Sequence, residues 1–250
     1  MLIILTVAVL STIGLSFLIA GIYRNKRLNG TVPTSLFAFI AILFTSGLDI
    51  GLIMLPLANF SIYADDAIYN FASPLAIEFG FWGGLIWLFY FLTTFYFCAI
   101  EPKVKIFEIP IIRMINNLVI ISTCAFTGFL FLSYVPEYLK GLSDFGKYAL
   151  VLAVVMISVM SSIRVQFVKI LSISSVWLFT GLIVIMALTS QMGIIGFVET
   201  WTNLEGYFVN LPRFTVPFSD LHAFYLFWWF SWSIMIGQFV ARFVTNMKVS

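Results

Sequence analysis

The stretch "FWWFSWSIMIGQFVARF", Phe227 to Phe243, sets Trp228, Trp229 and Trp232 within five consecutive positions of an apolar run. Such a run either crosses a membrane or forms the heart of a soluble domain. Composition decides between them. The chain has 250 residues, is 62% hydrophobic and 10% charged, and has a mean hydropathy of +1.07. That leaves too little polar surface to face water, so the solvent is lipid.

A helix needs about 20 mostly apolar residues to cross the hydrocarbon. Runs of that kind lie at 2–23, 34–58, 79–100, 114–136, 170–197 and 221–241. A shorter one, 148–163, lies between Lys147 and Arg164. The sequence predicts an all-α polytopic membrane protein with about seven transmembrane helices. The first run is too long and uniform for a signal peptide, and no small-residue cleavage site follows it.

Orientation follows from the basic residues. With the "YRNKRLNG" loop in the cytoplasm and the spans alternating, the inner side holds Arg24, Lys26, Arg27, Lys103, Lys105, Arg113, Arg164, Lys169, Arg242 and Lys248. The outer side holds Lys140, Lys147 and Arg213, and most acids, Glu78 among them. This predicts a multi-pass protein of the cell membrane with its N-terminus outside and its C-terminus in the cytoplasm. Segment 59–78 reads as an outer loop, 101–114 as a cytoplasmic connector and 199–220 as an amphipathic outer segment.

Enzyme chemistry has no foothold. There is a single histidine, no nucleophile–base pairing, no metal-ligand cluster and no nucleic-acid motif. Cys98 and Cys124 sit inside spans and read as small packing residues.

Three features can carry a site. Trp228, Trp229 and Trp232 lie near the middle of their span, where each indole N–H needs a partner or faces a cavity; core packing is the alternative. "FGFWGGLIWLFYF" puts Trp82, Trp87 and Tyr90 on one span. On an ideal helix Trp82 and Tyr90 project about 80° apart and Trp87 and Tyr90 about 60°. Between them Gly83 and Gly84 let a backbone or ligand approach. A belt or lipid-facing role is the alternative for Trp82. The third feature is "TSGLDIGLIMLP", where Gly47 and Gly51 bracket Asp49 in mid-span. An intramembrane carboxylate is a functional candidate, and a helix broken there can line a cavity. Together these suggest ring faces around a bulky, weakly hydrated cation such as a quaternary ammonium, with about 0.5–2 kcal/mol per cation–π contact.

The last span resembles the signature span of the betaine/choline/carnitine transporter family, with Trp228, Trp229, Trp232, Ser233, Gly237, Ala241 and Arg242 in its pattern. Trp82, Trp87, Tyr90 and Trp229 are similar in type and spacing to the family's aromatic box. Gly47-Leu48-Asp49-Ile50-Gly51 resembles its glycine stretch, with Asp49 at the central glycine. Ile234 stands where the family has proline, and Asn59-Phe60 where it has Glu-Pro. The resemblance implies a LeuT-type inverted-repeat fold. The first five-span repeat would cover 34–197, after a leading helix at 2–23 and before the first helix of the second repeat at 221–244. Members are about twice this length, so the chain looks like their second to eighth spans. The implied function is Na+- or H+-coupled transport of glycine betaine, choline or carnitine. Trp82, Trp87, Tyr90 and Trp229 would hold the ammonium group, and Trp228 and Trp232 would line the pathway. Gly47, Leu48, Asp49 and Gly51 would form the coupling element. No cofactor is implied beyond the coupling ion. The rival expectation is a non-transporting structural or regulatory subunit that packs with a partner chain or a second copy.

Overall fold

The computed structural model describes residues 2–47, 59–138, 141–190 and 193–249. Among these the regular structure is helical apart from one pair of two-residue strands. The helices are α1 (Leu2–Ile22), α2 (Leu36–Gly47), α3 (59–65), α4 (Pro74–Trp82), α5 (Gly84–Ala99), α6 (Glu101–Val104), α7 (Pro110–Tyr138), α8 (Asp144–Ile163), α9 (Val165–Thr189), α10 (Gly193–Thr202), α11 (Glu205–Val209) and α12 (Asp220–Ala241). Among the described residues, five segments are long and apolar enough to cross a membrane: Leu2–Ile22, Pro74–Ala99, Pro110–Phe129, Val165–Thr189 and Asp220–Ala241. Leu36–Ser46 is a shorter apolar helix.

Local chemistry sets the helix ends. Ser73 caps α4 by accepting from Ala76 N–H, with Pro74 in the first turn, where its missing N–H costs nothing. Ser143 caps α8 and Ser219 caps α12 in the same way. The apolar run expected over 170–197 is interrupted: α9 stops at Thr189, and Gly193 adopts φ +63° at the start of α10. The run expected as one helix over 79–100 is broken at Gly83, which separates α4 from α5.

The core forms where α12 lies against α5, with α1, α2 and α4 packed around the pair. A Cβ at Gly237 would run into the side chain and backbone of Thr93, so only glycine lets the two axes come this close. Phe89 and Phe230 meet beside it at 4.5 Å. By contrast α7 and α8 carry apolar residues exposed on nearly every side.

The helix ends gather into two faces. On one, β1 (Arg27–Leu28) pairs antiparallel with β2 (Met247–Lys248). Gly30 N–H and Val32 N–H donate to Val244 and Arg242 carbonyls, and the Lys169 ammonium donates to the Pro33 carbonyl at 2.6 Å. The ends of α1, α5 and α12 and the starts of α2 and α9 therefore share a side, and Arg24, Lys26, Arg27, Lys169, Arg242 and Lys248 lie on these adjoining segments. On the other, Tyr69 bonds Ser219 at 3.0 Å, Ser73 bonds the Asn203 carbonyl at 2.9 Å, and the Arg213 guanidinium lies 4.5 Å from the Phe71 ring centre. The segment expected as amphipathic over 199–220 is mostly exposed and turns Tyr207 and Phe214 into the core against α4.

Candidate functional site

The break at Gly83 builds the site. Ending α4 leaves carbonyls without helical partners, and starting α5 leaves amides without them. Side chains from distant segments satisfy both. The Trp229 indole donates to the Phe81 carbonyl at 3.0 Å, and Gly84 N–H donates to the Tyr207 hydroxyl at 3.1 Å. The approach that Gly83 and Gly84 permit is thus made by the Tyr207 hydroxyl.

That bond fixes Trp229 against Trp82. The two rings are nearly perpendicular, 83° apart, with centres 4.4 Å apart. They line a cavity of about 340 Å³ with Trp228, Trp232, Thr45, Ser46 and Met235. This is within the size range of small-molecule pockets, roughly 300–1,000 Å³. Trp228 and Trp232, one turn apart on α12, stack at 5.7 Å and 11°. The indole N–H groups of Trp82 and Trp232 are buried without a hydrogen bond to any described residue. Thr45 donates to the Ala41 carbonyl and meets Ser172 at 2.9 Å, and Ser46 donates to the Leu43 carbonyl, so their oxygens can still accept.

Trp87 sits elsewhere. It is 39% exposed and lines a second cavity of about 250 Å³ with Tyr90, Phe91, Leu43 and Val240. Tyr90 stands between the two cavities, its ring 6.3 Å from Trp87 and 6.4 Å from Trp229. The shared face expected from an ideal helix fails because the helix is broken after Trp82. Gly47 is the last described residue of α2. Leu48, Asp49 and Gly51 lie outside the described residues.

Glu78 was not expected here. It is 2% exposed, on α4 rather than in a loop, and accepts from the Tyr63 hydroxyl at 2.7 Å. Burial and then the nearby Glu78 carboxylate push the Tyr63 phenol far above its ordinary range, so it remains a donor. Asn59 donates to the Tyr225 hydroxyl at 2.7 Å, and His222 is buried with Phe81 stacked on it at 4.8 Å. The signal was present in the sequence: "LAIEFGFW" is a lone acid in an apolar run, one turn before a tryptophan.

The site's chemistry is that of ring faces and hydroxyl acceptors around a nearly apolar hollow. Among the described residues no cluster of His, Cys, Asp and Glu could hold a metal. No protein-family model, curated protein or solved structure matches the chain.

Proposed function

We propose that the chain forms the solute-binding part of a secondary transporter for a trimethylammonium compound such as glycine betaine, choline or carnitine. The observation that carries this reading is the perpendicular Trp82–Trp229 pair lining the cavity, with Trp228 and Trp232 beside it. Indole ring faces attract a cation without needing a hydrogen-bond donor from it. Thr45 and Ser46 add oxygen acceptors from the end of α2, next to the glycine stretch proposed to serve Na+ or H+ coupling. Trp87 and Tyr90 would form the far side of the same route through the second cavity. The resemblance to the betaine/choline/carnitine transporters supports the same class and a LeuT-type arrangement.

Choline binding to the purified chain, followed by tryptophan fluorescence, tests this. Trp82 is the cleanest position, because its N–H makes no well-formed hydrogen bond to a described residue, whereas the Trp229 N–H is bonded to the Phe81 carbonyl. Trp82→Leu should weaken choline by roughly 1–2 kcal/mol, about 5- to 30-fold, and Trp82→Phe by less. Trp87→Leu, in the other cavity, should cost less than Trp82→Leu. Equal losses for Trp82→Phe and Trp82→Leu, or tight binding of the neutral isostere 3,3-dimethylbutanol, would rule out a cation–π site.

The proposed orientation puts the face that carries β1 and β2 in the cytoplasm, where its basic residues belong. Impermeant thiol reagents added outside should then reach single cysteines placed within 61–77 and 199–219 and miss those within 24–28. Labelling of 24–28 from outside would invert the topology.

A second reading, a non-transporting subunit that packs with another chain, is favoured by Trp87 lying apart from the other cage residues. A chain that binds no ammonium compound yet purifies as a stable complex would support it.

A further inference from the structure

Glu78 has no part in the cage, yet it is buried directly behind it. One carboxylate oxygen accepts from Tyr63, and the other makes no hydrogen bond to any described residue. Trp82, which lines the cavity, follows Glu78 by four residues on α4, so the two side chains occupy adjacent turns of one face. Its indole N–H lies near the carboxylate without meeting the geometry of a full hydrogen bond. The surrounding groups are Asn59 and Tyr63 on α3, Tyr69 with its ring 5.1 Å from that of Tyr63, and Tyr225 and His222 on α12. Asp66 and Asp220 lie near Tyr69. Neither ion pair among the described residues involves Glu78. A bare carboxylate with one donor is costly in so dry a place, and two agents can relieve the cost: a proton, or a cation nearby.

We propose that Glu78 is a proton site linked to the aromatic cavity, so that a cation held against Trp82 and Trp229 and a proton on Glu78 oppose each other. The inference rests on the reading of the cavity as an ammonium site. The exchange balances in charge. A cation enters, the Glu78 carboxyl O–H bond breaks, its electron pair stays on the carboxylate, and the proton leaves to buffer. Linkage makes the effect reciprocal: cation binding favours proton loss, and acid weakens the cation by the same factor.

The test is calorimetric titration of the full-length chain with choline chloride across a pH series, in two buffers of different ionisation heat. The wild-type chain should release up to about one proton per choline. Its affinity should fall about tenfold per pH unit on the acid side of the Glu78 midpoint. Glu78→Gln keeps the size and should bind choline with no proton release and no pH dependence. Tyr63→Phe removes the hydroxyl that donates to the charged carboxylate, so its proton release should begin at higher pH. A merely structural role for Tyr63 would weaken choline equally at every pH. If Glu78→Gln does not fold, Tyr63→Phe decides. Choline binding without proton release, or release that survives Glu78→Gln, overturns the proton site and leaves the ammonium reading standing. Absence of choline binding at every pH overturns that reading and the link with it.

Discussion

The spans that contain α5 and α12 and the apolar stretch of α7 are close in hydropathy, but they live in different surroundings. About half of the residues in the spans that contain α5 and α12 are buried in protein, and none in the apolar stretch of α7 is. Lipid chains are as apolar as leucine, so the hydrophobic effect does not choose between them as neighbours of a helix. What chooses is fine structure. On α12, Gly237 opens a notch for Thr93, Ser233 is small, and Trp229 has a carbonyl to bond. On α7, a Cβ at Gly128 would meet nothing within 4 Å, and among the described side chains the polar tie to α12 is the bond from Asn116 to Gln238 at 3.1 Å. Close packing in this protein follows small residues and satisfied polar groups, not hydropathy.

The strongest way to break this comparison is at the two glycines. Gly237→Leu must push Thr93 backbone aside, and overpacking of that kind costs about 1–3 kcal/mol or more. Gly128→Leu should be near neutral, since the new side chain points into lipid and gains helix propensity. Thermal unfolding of detergent-purified protein, read by monodisperse elution, should show Gly237→Leu well below the parent and Gly128→Leu close to it. Equal losses at both would mean that α7 packs in the membrane as tightly as α12.

A smaller effect sharpens the comparison from the other side. Asn116→Ala removes the bond to Gln238, and buried side-chain bonds between membrane helices average about 0.6 kcal/mol. The change should leave α5 and α12 together while loosening α7, which crosslinking between cysteines at 123 and 231, positions that line one cavity, would report. A drop in stability as large as that of Gly237→Leu would make α7 part of the core.

Sequence alone determined the solvent and the rhythm of the chain. Hydropathy and charge are sums over neighbouring residues, so the apolar runs, the basic loops and the aromatic concentrations in "FWWFSW" and "FGFWGGLIWLFYF" were legible without a fold. The resemblance to the transporter family's aromatic box implied that Trp82 and Trp229 come together. Only tertiary structure decided how the rings meet. A helical projection assumes a straight helix, and Gly83 breaks the one that carries Trp82, Trp87 and Tyr90, sending Trp87 to a second cavity. The acid of "LAIEFGFW" could be read as a loop residue until the cap at Ser73 started a helix before it and Tyr63 closed over it. Those outcomes depend on where segments far apart in sequence touch, and local sums carry no record of such contacts.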